Sequence, residues 1–351
     1  MTEPDGIPSI PPPLPASPAA RRRGKRWHWA AWVGGAALLV VVIILAVSVS
    51  KRVLRHTGLF AASGRGVDEY PDLEETWSFG QGDTKAARID ISGVIMEGER
   101  GSIFSLSRDP VETALRSIRT AMQDPAVKAI ILVVNSPGGG ITASDVIYNE
   151  LLKFKKSDPS RKIVALFGDL AASGGYYVAC AADRVVAHPT TITGSIGVLI
   201  STLNVKGLGE KIGIKDVTIA SGENKDMLNP FKDLTETQQK LLQATVDEMY
   251  KRFVRIVAEG RHLSEDEVTK VADGRILTAP QALESKLIDR IGYWDDAMEE
   301  TRHLLKVRAV KVVRYREPFS FSFFMEAVQE IDISVEGLMS GRTRLMYILP
   351  F

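Results

Sequence analysis

At 351 residues the chain has room for one large domain or two modest ones plus extensions. A net charge of +1 excludes the basic surplus of a nucleic-acid binder. One cysteine, Cys180, excludes an internal disulfide framework and a cysteine-based zinc site, and the five histidines (28, 56, 188, 262 and 303) share no metal-ligand spacing, so neither metal nor cofactor is expected.

Residues 1–27 begin proline-rich, with seven of the seventeen prolines among the first twenty residues, and end basic, with Arg21, Arg22, Arg23, Lys25 and Arg26. This composition predicts a disordered or polyproline-like tail. Residues 28–50 hold no acid or base except His28, and Leu38–Val47 is uninterrupted aliphatic. That is enough to cross a bilayer as one helix, with Trp27, Trp29 and Trp32 at an interfacial belt. A cleavable signal peptide is the competing reading, and Ala46-Val47-Ser48 offers cleavage-like chemistry. The span is too long for a signal core, however, and a basic tail of over twenty residues precedes it. Five basic residues before the span against three soon after it (Lys51, Arg52 and Arg55) predict a cytoplasmic N-terminus with the bulk of the chain outside.

Residues 51–85 read as a polar, glycine-containing connector. From Arg88, RIDISGVI alternates as a strand does. Helical spacing follows in Val111, Ala114, Leu115, Ile118 and Met122. Lys128–Val134 is a nearly continuous apolar strand ending at Asn135-Ser136-Pro137-Gly138-Gly139-Gly140, and a helix from about Ala143 to Lys156 comes next. Ile163–Phe167 reads as a buried strand running into Ser173-Gly174-Gly175 and a small, apolar helix that carries Cys180. Alternating strands and helices predict βαβ units in an α/β fold.

The two glycine-rich junctions fall after successive strands, where parallel sheets build their sites. Ser173 at a strand-to-helix junction has helix-start N–H groups nearby that favour developing negative charge; the plainer reading is an N-cap. The glycines at 138–140 let a substrate carbonyl approach the main chain, as in an oxyanion hole; the plainer reading is a turn. Neither GxGxxG nor GxxxxGK[ST] is present, so a phosphate loop has little support.

NSPGGG, then ASGGYYVACAADRVVA, then TGSIGV, in that order, resemble the signal peptide peptidase A family, membrane-bound bacterial serine proteases of the Clp/crotonase superfamily. The resemblance covers roughly residues 86–305, in one copy. It implies a Clp/crotonase-like α/β fold of repeated ββα units over 86–308, which leaves the transmembrane helix read above before it and an extension at 309–351 after it. It also implies a Ser–Lys dyad: Ser173 as nucleophile, and Lys225, within Ser221-Gly222-Glu223-Asn224-Lys225-Asp226, as general base. Ser195 matches the serine that orients the lysine amine. Gly138 and the N–H of Gly174 match the oxyanion hole, and three glycines in a row let the first shift by one or two places. The expected substrates are cleaved signal peptides and other small apolar peptides, and the expected assembly is a homo-oligomeric ring in which neighbours share sites.

This chemistry is coherent on its own terms. A free lysine, with pKa near 10.4, is a poor base at neutral pH, and burial is what frees such an amine. His188, followed by Pro189, reads as a turn residue, and the GxSxG elbow is absent around Ser173. Val205–Ile212 and Val217–Ala220 continue the α/β alternation, and Thr235-Glu236-Thr237-Gln238 is a capping box opening a long helix through Val257. The tail from Ala309 mixes strand-like and apolar pieces, suited to a neighbouring subunit or the membrane. Two other readings stand beside the protease: a crotonase-type acyl-CoA enzyme and a catalytically silent scaffold of the same fold.

Overall fold

The computed structural model of the chain describes Pro71 and residues 73–97, 109–316 and 346–348, all within the unit Gly66–Phe351. The expected membrane span at 28–50 lies outside the described residues. Among those described, no helix is long and apolar enough to cross a membrane.

The sheet is built around β3 (Val127–Ser136), whose neighbours β2 (Lys85–Ser92) and β5 (Lys162–Ala172) both run parallel to it. β3 shows no apolar–polar alternation because both its faces are covered: Ile130, Leu132 and Val134 join one core cluster, Ala129 and Ile131 another. Parallel neighbours require crossovers, supplied here by α1 (Pro110–Gln123) and α2 (Ile141–Ser157). Asp109 caps α1 by accepting the N–H groups of Val111 and Glu112, with Pro110 pre-set at the first helical position. Ile118 of α1 and Leu151 and Phe154 of α2 fill the first face.

On the far side of β5 lie β6 (Arg184–Ala187) and β9 (Arg290–Ile291), both parallel. On the near side β10 (Lys311–Arg316) runs parallel to β2, and β1 (Glu74–Phe79) closes that edge antiparallel to β10. The sequence hides both outer strands, since β1 falls in the expected connector and β10 in the expected extension. Charged residues interrupt their apolar pattern, and β1 gains its partner only from a strand more than 200 residues away. α6 (Trp294–Leu305) covers the second face, setting Met298 in the cluster of Ile131 and Ala297 in that of Val164.

The stretch after residue 200 departs from alternation. α4 (Lys206–Ile212) forms, but Val217–Ala220 makes no strand, and Val217 and Ile219 stand 86% and 97% exposed. Apolar β-branched residues do not pair without a free strand edge beside them. Thr235 and Gln238 complete the predicted capping box of α5 (Glu236–Arg261). The buried apolar residues of α5, among them Phe253, Val254, Ile256 and Val257, all lie in its C-terminal half. Leu241 stays exposed and Leu242 and Val246 are half-covered.

Candidate active site

β5 is long enough to serve two partners. Val164–Phe167 pairs with β6; Leu170–Ala172 then pairs with β7 (Ile192–Gly194), which β8 (Ile276–Thr278) backs from the other side. The register of β3 shifts beyond Val134 so that Ser136 pairs with Ala171. The ends of β3, β5 and β7 therefore converge.

Ser173 leaves the end of β5 and opens the short helix α3 (Gly174–Ala179). It is 1% exposed, has φ 53 and ψ −118, and donates its N–H to the Gly194 carbonyl at 2.9 Å. The side chain makes no capping bond to the helix, so the N-cap role does not consume the hydroxyl. A non-glycine residue in such a region costs about 1–3 kcal/mol and persists only where its surroundings hold it. Here the holding is extensive. Tyr176 Oη donates to the Leu287 carbonyl at 2.7 Å, and Tyr177 Oη donates to Asp145 Oδ1 at 2.6 Å, which Arg252 also engages at 2.6 Å. At Gly175 an added β-carbon would meet the Ser136 carbonyl oxygen at 3.0 Å, so glycine is what lets α3 sit against β3.

Ser195 follows β7 in the same way. It is 6% exposed, has φ 51, and donates its N–H to the Arg275 carbonyl at 2.7 Å. Arg275 is itself fixed by a two-point ion pair with Asp273, at 2.7 and 2.6 Å. That pairing holds the Asp273 carboxyl down at about 2.

Gly138–Gly140 forms a short strand, β4. On one side Ile95 lies parallel to it: the Ile95 N–H donates to the Gly138 carbonyl at 2.8 Å, and the Gly140 N–H donates to the Ile95 carbonyl at 2.7 Å. A β-carbon on Gly139 would fall 2.0 Å from the Ile95 oxygen. The Gly138 N–H is directed inward, to Ser136 Oγ at 3.0 Å. In a trans peptide the N–H points opposite the carbonyl, so the Gly139 N–H faces the other edge. That edge carries β11 (Met346–Ile348), antiparallel, with Tyr347 in register with Gly139.

The structure does not join Lys225 to this centre within one protomer. Lys225 is exposed, in a turn where its N–H donates to the Gly222 carbonyl at 3.1 Å. Among the described residues no hydrogen bond or ion pair links it to Ser173 or Ser195. Its segment is held by polar contacts: Gln238 Nε2 to the Glu223 carbonyl at 2.9 Å, Asn229 Nδ2 to Asp216 at 2.9 Å, and Lys232 to Asp226. Apolar side chains there face outward, among them Leu203, Leu208, Ile212 and Ile214.

His188 sits half-buried after β6, its ring 5.4 Å from that of Tyr293, and its carbonyl accepts the Thr191 N–H at 3.1 Å. Cys180 is buried beside α3, which pushes its thiol up to about 12. Among the described residues no cluster of His, Cys, Asp and Glu could hold a metal ion. Sequence reasoning gave no role to Ser136, although it stands within NSPGGG, nor to residues 346–348, whose short apolar run carries no motif.

Comparison with known proteins bears on this geometry. The family model for peptidase family S49 matches residues 155–308, the span that holds Ser173, Ser195 and Lys225. The Clp protease model matches 111–193, from α1 to β7. A protein of Enterococcus faecium named as a signal peptide peptidase SppA is 36% identical over 292 residues, 83% of this chain and 84% of the relative. Protease 4 of Salmonella typhi is 33% identical over 245 residues, 69% of this chain but only 38% of that longer protein. The chloroplastic serine protease SPPA of Arabidopsis thaliana is 34% identical over 241 residues, 66% of this chain and 35% of the relative.

Proposed function

This chain belongs to peptidase family S49 and is a serine protease, and from that membership we propose that it is a membrane-anchored endopeptidase using a Ser173–Lys225 dyad. Its substrates are cleaved signal peptides and other small apolar peptides. The observation that carries the reading is Ser173: buried, held at a positive φ, and with its hydroxyl not spent on the helix that it opens.

An extended peptide adds as a strand along Gly138–Gly140, the mode that β11 already adopts there. Ser173 Oγ attacks the scissile carbonyl carbon while the neutral Lys225 amine takes the hydroxyl proton. The resulting oxyanion accepts hydrogen bonds from the Gly174 N–H and, of the three glycines, from Gly139, whose N–H faces the peptide edge. The ammonium returns its proton to the leaving amine. Water, activated by the same lysine, then hydrolyses the acyl-enzyme. Ser195 holds the amine in line, as the third member of a triad holds its base.

One protomer leaves Lys225 in water, so a second copy supplies the burial that this base needs. The outward-facing apolar residues of 203–219 and the uncovered first half of α5 suit such a contact, and a head-to-tail contact that closes makes a ring. The span at 28–50 anchors the ring, with the protease domain outside the cytoplasmic membrane.

A fluorophosphonate probe tests the reading. Labelling of the full-length protein in membranes should vanish in Ser173→Ala and fall sharply in Lys225→Ala. A silent scaffold, or an acyl-CoA enzyme on this fold, would not label at Ser173.

A further inference from the structure

We propose that Ser136 is a positioning residue for the oxyanion hole, its hydroxyl acting as a lock on the glycine strand; the proposal rests on the active-site reading above. Three consecutive glycines have no side chains to fix their peptide planes, and glycine samples both signs of φ freely. Gly138 sits at φ 103, and something outside the strand must hold it there.

Two contacts do so. The Ser136 hydroxyl oxygen accepts the Gly138 N–H at 3.0 Å, and the Gly138 carbonyl accepts the Ile95 N–H at 2.8 Å. The second contact turns the Gly139 N–H toward the peptide edge, since N–H and carbonyl oppose each other across a trans peptide. The same Ser136 hydroxyl donates its own proton to the Gly93 carbonyl at 2.6 Å, two residues before Ile95. One buried hydroxyl therefore ties down both the glycine strand and the segment that orients it.

Ser136 also reaches the other half of the site. It pairs with Ala171, two residues before the nucleophile, and its carbonyl oxygen would crowd a β-carbon at Gly175 at 3.0 Å. Removing the hydroxyl frees the Gly138 peptide and loosens the Gly93–Ile95 clamp, while Ser173 keeps its own restraints. The oxyanion donor loses its aim, and the edge that binds peptide remains.

The test is steady-state hydrolysis of a short apolar peptide by full-length Ser136→Ala, with rates expressed per active site titrated by fluorophosphonate, so that misfolded protein is not counted. The expected result is kcat down on the order of 10-fold to 100-fold, within the range for an impaired oxyanion donor, with KM within about threefold. Affinity for a peptide boronate, which mimics the tetrahedral state, should fall by the same factor as kcat. A kcat per titrated site within twofold of wild type would overturn the proposal. So would KM rising in step with kcat falling, the mark of general damage to the peptide edge. If Ser136→Ala gives no titratable sites, Ser136→Cys, near in size but a weak hydrogen-bond partner, must show the same split between kcat and KM or the proposal falls. Wild-type turnover that survives Ser173→Ala would instead overturn the active-site reading beneath it.

Discussion

Ser173 and Ser195 leave adjacent parallel strands from register partners, Ala172 and Gly194, and both take a left-handed backbone, with φ 53 and 51. The other non-glycine residues of positive φ among those described are His262, Lys286 and Lys306, and these lie at helix C-terminal ends, where that geometry is ordinary. Neither serine lies at a helix C-terminal end that would account for its backbone. Strain of this kind gathers at functional sites because the surrounding fold is selected to hold it.

From this pairing Ser195→Ala should lower kcat about tenfold, since an orienting hydroxyl goes while nucleophile and base remain. Ser195→Gly should lower kcat equally, yet melt at or above the wild-type temperature, because glycine accepts the positive φ without strain. Thermal melts beside peptide hydrolysis check both. Equal loss of stability in the two variants would assign Ser195 a packing role.

Gly139→Ala places a β-carbon 2.0 Å from the Ile95 carbonyl oxygen, a backbone atom that cannot rotate away. The strand must shift, at a cost of about 1–3 kcal/mol, and the oxyanion donor shifts with it. Denaturant unfolding and kcat should both fall. Wild-type kcat in this variant would move the donor to another glycine.

β11 lies where an extended substrate would add. A chain ending at residue 345 should bind short apolar peptides more tightly, with KM down severalfold and kcat little changed. A synthetic peptide of residues 346–351 should inhibit competitively. An unchanged KM would mean that β11 and substrates do not share this edge.

Burial pushes the Cys180 thiol up to about 12. At pH 8 its thiolate fraction is therefore far below that of a free cysteine, the thiolate being the reactive form. Iodoacetamide should leave the native protein unmodified and alkylate it fully once unfolded, as intact-mass measurement would reveal. Rapid alkylation of the native protein would contradict the burial of α3.

The parallel centre of the sheet was legible in the sequence because β3 and β5 are nearly unbroken apolar runs, and α1, α2 and α5 carry caps or clear spacing. Strands β1 and β10 were not, since each is an outer strand patterned with charges and paired across most of the chain. Of the site, the Ser173 and Ser195 motifs stood out because their backbone demands sit in glycine-rich signatures. The inward turn of the Gly138 N–H onto Ser136 was hidden: which way a glycine peptide faces depends on Ile95 and Gly93, more than 40 residues earlier. Val217–Ala220 misled in the opposite direction, its apolar residues being exposed in the single chain.

Substitution of Lys225 tests the Ser–Lys dyad most directly. Full-length protein and its Lys225→Ala, Lys225→Arg and His188→Ala variants should be compared for hydrolysis of a short apolar peptide, per folded molecule. Both Lys225 substitutions should lower kcat by a factor on the order of 10² or more, since neither alanine nor the always-charged arginine can take the Ser173 proton. His188→Ala should stay within about threefold of wild type. Turnover that survives Lys225→Ala but disappears in His188→Ala would contradict the Ser–Lys dyad and give Ser173 a histidine base.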